Sequence, residues 1–310
     1  MYAKKISIFV AASVICSSLL FTSCKKDNNQ STDNSNQIST QSDDQSRISA
    51  ETDAVSNDVN TSLEASGSIS GRMDGTIICD AAVVVDSIST PKKVTITYNG
   101  TNCAGNRTRT GVVVITLPVD KKWKDAGAAV TVSYQNLKIT RLLDNKSITI
   151  NGTHTITNVS GGLLYNLSNL PNGITHTIAS SNMSVTFDDG STRTWQVARQ
   201  RQFNYNNGVV ITETGTHSEG GKTGIEEWGT TRFGNSFTNA IITPLVVRQD
   251  CSWRLTSGVL QHTSVLATTT ITFGLDATGA ATSCPGNGSY YFKATWVGVG
   301  GKTVTIILPY

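Results

Sequence analysis

The chain has 310 residues, with 25 Lys and Arg against 22 Asp and Glu, 38% apolar residues and six cysteines. A formal charge of +3 with no basic stripe or tail argues against a nucleic-acid partner. The length leaves room for one sizeable β domain, or two smaller ones, behind a leader.

Lys4 and Lys5 precede an apolar stretch from Ile6 to Phe21, and small residues then lead to Cys24. This is the order of an export signal. The stretch is interrupted by Ser7, Ser13, Ser17 and Ser18 and is too short to read as a membrane span. The segment "LLFTSCKKDNN" resembles the lipobox of bacterial lipoproteins, with Phe21 where that family usually has Leu and with the "SCKKD" spelling common in Bacteroidota. The resemblance implies that residues 1–23 are removed, that Cys24 is acylated, and that Lys25 behind it favours the outer membrane. Two or more acyl chains give stable attachment, at roughly 0.8 kcal/mol per buried CH₂. Removing Lys4 and Lys5 leaves 23 bases against 22 acids.

Residues 24–45 are Asn, Gln, Ser and Asp with almost no apolar side chain. They cannot bury enough surface to offset chain entropy and read as a disordered tether, with a reach on the order of 25 Å. Residues 46–66 place Ile48, Val55, Val59 and Leu63 near helical spacing, with acids early in the stretch. They predict one short amphipathic helix packed on the sheet that follows.

From residue 67 to 310 the signal is β. Segments such as "AAVVVDSI", "KKVTITY", "GVVVITL", "AVTVSYQNLKITRLL" and "MSVTF" are rich in Val, Ile and Thr. Turn-forming pairs recur: Asn99-Gly100, Asn151-Gly152, Asp189-Gly190, Asn207-Gly208 and Gly220-Gly221. Not every pair is a turn, and Gly152 fits a bulge inside a long strand. Short connections make neighbours antiparallel, and no recurring helical pattern supports βαβ crossovers. The fold class expected is all-β: a long antiparallel meander forming a twisted sandwich or open barrel, with one short N-terminal helix.

With Cys16 in the leader and Cys24 acylated, Cys79, Cys103, Cys251 and Cys284 remain, and four cysteines allow three pairings. A repeated phrase chooses among them. "VTITYNGTNCAGN" and "TTITFGLDATGAATSCPGN" each carry a Thr-Ile-Thr strand and then a Cys near a Gly-Asn. Each is preceded by one other Cys, so Cys79–Cys103 and Cys251–Cys284 are expected as two like clamps, in keeping with an oxidising compartment. A four-Cys metal site is the rival, but no CxxC exists and no His lies beside these cysteines.

The segment "STRTWQVARQRQFNY" puts Arg193, Trp195, Val197, Arg199, Arg201 and Phe203 on one face of a strand. Neither face is apolar, so this strand is either wetted on both sides or lines a polar groove. The body also resembles an uncharacterised group of β-rich Bacteroidota lipoproteins, through Cys79, "KKVTITYNGTNC", "NRTRTGVVVITL", "DDGSTRTWQVARQR", "VRQDCSWRLTSGVL" and "GKTVTIIL". That resemblance implies a compartment and no activity.

A hydrolase needs paired carboxylates or a nucleophile with a base. Asp188-Asp189-Gly190 reads as a turn. Glu226 and Glu227 are adjacent and on a regular strand would face opposite sides, so they can act together only across a bulge. His154, His176, His217 and His262 show no HxH or HExxH spacing, and neither a metal site nor a cofactor is expected. Trp123, Trp195, Trp228, Trp253 and Trp296 read first as packing residues. The expectation is a non-catalytic, outer-membrane-anchored lipoprotein, acting as a binding or structural module. Its best candidate contact face is Trp195, Arg199, Arg201 and Phe203, and its partner a carbohydrate or an envelope protein. The alternatives are a hydrophobic-ligand carrier with an open barrel and a glycan-active enzyme.

Overall fold

The computed structural model describes residues 31–68, 78–282, 290–298 and 301–310. The leader, Cys24 and Cys284 lie outside the described residues. Among the described residues one α-helix, α1 (Ser31–Ser68), precedes fifteen strands. They are β1 (Ala81–Asp86), β2 (Lys93–Thr101), β3 (Arg107–Thr116), β4 (Ala128–Arg141), β5 (Ser147–Asn158), β6 (Ile174–Phe187), β7 (Thr192–Tyr205), β8 (Val209–Gly215), β9 (His217–Glu219), β10 (Lys222–Thr230), β11 (Ser236–Arg248), β12 (Arg254–Ser264), β13 (Ala267–Leu275), β14 (Tyr291–Gly298) and β15 (Thr303–Pro309). All pair antiparallel in one sheet, nearly in chain order. The fold is therefore the all-β antiparallel meander that the Val-Ile-Thr runs and turn pairs imply.

One departure from the meander lies at its middle. β7 pairs with β8 through residues 199–205 and with β10 through residues 194–197, and β11 likewise pairs with both. β8 and β10 thus sit end to end in one slot between β7 and β11. The chain between them leaves the slot as the small β9–β10 hairpin. This local loop of pairings is a small closed barrel within an otherwise open sheet.

The sheet must curl, because one helix touches strands far apart in it. α1 reaches Tyr98 on β2, Arg141 on β4, Arg201 on β7 and His262 on β12. Eight inter-strand gaps separate β2 from β12, about 38 Å if flat, yet a helix with its side chains is only about 10–12 Å across. Bulges supply the bending. Register shifts occur in the β3–β4, β4–β5, β5–β6 and β6–β7 pairs. Gly152 stands at the β5–β6 shift with φ 122°, where a Cβ would come within 2.5 Å of the Asn182 carbonyl oxygen. Asn99-Gly100, by contrast, continues β2 and is not a turn.

α1 is longer than its apolar stripe predicts. Ile48, Val55, Val59 and Leu63 are all buried, as their spacing requires. The helix, however, starts at Ser31, so most of the segment read as a disordered tether over 24–45 is helical. The reason is polar. Gln41, Asp44 and Gln45 are held by partners on the sheet, so this stretch gains order without burying apolar surface.

The first hydrophobic core joins α1 to the early strands, with Val94, Ile96, Ile115, Val132, Ile139, Ile148 and Ile150 beneath the helix. A second core gathers Ile174, Phe203, Ile211, Val247, Leu255, Phe273 and Phe292 from the later strands. The Cys79–Cys103 disulfide closes the start of the sheet, as the repeated phrase predicts. Cys251 is also disulfide-bonded, and its expected partner falls outside the described residues. Among the described residues no helix is long and apolar enough to cross a membrane.

Candidate functional site

The sheet face covered by α1 holds most of the molecule's ionic chemistry. Arginines at alternate positions of β3 and β7 point toward the helix, and acids on the helix meet them. Arg109 donates two hydrogen bonds to Asp80, both at 2.6 Å, and a third to Asp58 at 2.8 Å. Tyr98 donates to the same Asp58 oxygen at 2.8 Å, and its ring lies 4.3 Å from the Arg109 guanidinium. Arg232 grips Asp44 through two bonds, at 2.7 and 2.5 Å. Arg107 pairs with Glu51, and Arg141 with Asp43.

The deepest part lies under the middle of the helix. Arg199 donates to Glu227, and to Glu213 at 3.1 Å. Arg201 donates to Glu213 and to Asp53 of α1. Glu226 Oε2 stands 3.7 Å from Arg199 Nε. The β10–β11 register shifts between Ile225 and Glu227, so the bulge that the adjacent glutamates need in order to face one way is present. Both are buried on Arg199, and neither is left as a free base or nucleophile.

A hydrogen-bond chain continues from there. Gln41 donates to His262 Nε2 at 2.5 Å, His262 Nδ1 donates to Asn239 Oδ1 at 2.6 Å, and Asn239 donates to Glu227 at 3.4 Å. Gln45 donates to Glu227 at 2.7 Å and accepts from Arg193 at 2.5 Å. This direction of donation needs a neutral His262 protonated at Nδ1. Burial, helped by the nearby Arg193 charge, lowers its pKa to about 4.

Electrostatics across this face follow burial first and partners second. Burial pushes Glu226 well above the ordinary carboxylate range, and Glu227 and Glu213 push the same way against Arg199. Burial also raises Asp44 and Asp58 despite their arginines. Glu213 differs: burial would raise it, but Arg201 and Arg199 outweigh that and hold it low. Burial lowers His154 to about 3, with Arg199 and Arg201 adding to the effect. The result is a self-paired network of helix acids and sheet arginines, with several carboxyls held toward the neutral form.

The candidate contact face sits inside this network. Trp195, Arg199, Arg201 and Phe203 share one face, as their alternation predicts, but that face is the covered one. Trp195 is 1% exposed, and Arg199 and Phe203 are also buried. Of the two readings of this strand, the polar-groove one matches, and α1 fills the groove. Arg193, 1% exposed, lies over the Phe237 ring at 4.1 Å.

The other candidates are dispersed. His154 contacts Tyr134 at 3.3 Å, His176 packs between Trp123 and Phe203, and His217 stacks on Trp228 at 4.0 Å. Among the described residues no group of three or more His, Cys, Asp or Glu is placed to hold a metal ion. Asp189 closes its turn by accepting from Ser191 N–H at 2.9 Å.

Sequence reasoning missed the helix side of the network. Asp44, Glu51 and Asp58 recur at intervals of seven, which places them along one helix face. Arg107 with Arg109, and Arg199 with Arg201, recur at intervals of two, which places each pair on one strand face. Matching an acidic helical period to a basic strand period was the available signal.

No protein-family model, no curated protein and no solved structure matches this chain.

Proposed function

We propose that the protein is an outer-membrane-anchored lipoprotein whose β domain serves the cell envelope as a non-catalytic binding or structural module. The supporting observation is the occupancy of its charged face. The carboxylates close enough to cooperate are tied to arginines, and α1 lies across the groove they would need. A body whose helix acids and sheet arginines are spent on one another, on a lipid anchor, suits contact better than turnover. Its partner is a carbohydrate or an envelope protein, met on surfaces that α1 leaves open.

Palmitate labelling tests the anchor: the wild-type chain takes up label and Cys24→Ser does not. Glycan-array binding of the mature protein tests the carbohydrate version, and retention of no glycan leaves only the protein partner. Hydrolysis of any glycoside that is lost in Glu227→Gln contradicts the non-catalytic reading.

A hydrophobic-ligand carrier is the second reading, favoured by one observation. The early strands present an aliphatic floor to the helix, including Val94, Ile96, Ile115 and Ile148. That reading requires α1 to move aside, and it fails if a fluorescent fatty-acid probe is not taken up at any concentration below its own aggregation.

A further inference from the structure

The course of α1 through the sheet sets which end of the molecule faces the anchor. Asp43 meets Arg141, beside the turn at 142–146, Asp44 meets Arg232, within the turn at 231–235, and Gln41 meets His262 just before the turn at 265–266. Glu64, near the other terminus of the helix, accepts from the Leu164 and Tyr165 N–H groups beyond the far end of β5. The helix therefore enters the sheet among one set of turns and leaves it among the other.

Little chain separates this entry from Cys24. Ser31 is seven positions after Cys24, a span of at most about 25 Å fully extended. From Ser31 to the half-buried Gln37 the helix rises about 9 Å. The disordered tether expected over 24–45 would join the domain only at residue 46, whereas the helix carries the attachment point back to Ser31 and so ties the entry end, not the opposite end, to Cys24. The entry end also carries exposed apolar tips: Leu143 at 90%, Val265 at 56%, Leu142 at 43% and Phe233 at 40%.

We infer that this end, with the tips Leu142, Leu143, Phe233 and Val265, rests on the surface of the anchoring bilayer. The inference depends on the lipid anchor at Cys24 proposed above. The opposite end has exposed apolar tips of its own, Ile88, Val119, Tyr165 and Tyr205, so apolarity alone does not choose between the ends. The short reach from Cys24 chooses. Tips at the interface place apolar side chains against the headgroup boundary, where burial favours them. The same orientation turns Ile88 and Tyr205 away from the membrane, toward any partner.

The test uses the acylated mature protein in phosphatidylethanolamine–phosphatidylglycerol vesicles. Nitroxide labels are placed separately at Leu143→Cys, Phe233→Cys and Tyr205→Cys. The expected result is that a water-soluble nickel chelate reaches the labels at 143 and 233 several-fold less often than the label at 205. Equal access at all three positions overturns the docking while palmitate label on Cys24 leaves the anchor intact. Absence of palmitate label overturns the anchor and the orientation with it. A nickel-shielded label at 205 with open labels at 143 and 233 inverts the orientation and also overturns it.

Discussion

Arg109 shows how single side chains hold the covered face together. Its guanidinium satisfies Asp80 and Asp58 at once, with Tyr98 packed on its plane, and all of these groups are nearly out of water. Removing one member of a buried ion pair leaves the others desolvated and unpaired, at a cost of about 3–5 kcal/mol. Arg109→Met is therefore expected to lower the urea-unfolding free energy by that amount. Asp80→Asn, which keeps an acceptor, should cost less. Glu226 makes the opposite case. Its folded-state pKa is raised above the ordinary 4.5 by burial and by neighbouring carboxylates. The stability it contributes is whole below about pH 4.5 and is lost as pH rises through the raised value. Asp44, Asp58 and Glu64 are also raised by burial and add to the same trend. Glu213 is held low and opposes it, losing its contribution as pH falls. Gln at 226 mimics the protonated carboxyl. Glu226→Gln is expected to be more stable than wild type at pH 8 and to flatten the decline in unfolding free energy between pH 5 and 8. An unchanged pH profile contradicts the assignment.

The elements differ in how legible they were. Strands were plain in the sequence because Val, Ile and Thr runs with Gly-bearing connections leave few other solutions, and β2, β4 and β6 fall on the segments that show this pattern. The core half of α1 was legible too, since Ile48, Val55, Val59 and Leu63 keep helical spacing. Its first half was not. Hydrophobic periodicity is blind to a helix fastened by Gln41, Asp44 and Gln45, whose partners lie about 150 to 220 residues downstream. The polar face of β7 was likewise ambiguous, because alternation says which residues share a face and not what covers it. The bulge at Ile225–Glu227 had two local signals, the adjacent glutamates and Gly224 just before it, which adopts φ 72°. Interruption of α1 provides the element-scale test. Ser56 is buried at mid-helix. Proline there removes a helix hydrogen bond and clashes with the preceding turn, at a cost of about 3 kcal/mol or more. Ser56→Pro should lower the melting temperature, with helix and strand circular-dichroism signals lost in one shared transition. Loss of helix signal alone, with the strands melting as in wild type, would show that α1 is dispensable to the sheet.

At the scale of the whole molecule, the helix acts as the sheet's interior. Curling around α1 buries the early strands against its apolar side chains and meets the middle strands with its charged ones, while the later strands close a second apolar core among themselves. The covered face is filled by α1, which leaves the turns and outer surface open for the contacts proposed above. This account stands on α1 being docked in solution as firmly as the strands around it. Hydrogen exchange followed by mass spectrometry measures that directly. The account predicts that amides from residues 41 to 63 are protected to the same degree as those of β4 and β5, and that both exchange only on global unfolding. Rapid exchange along α1 beside a protected sheet would contradict it.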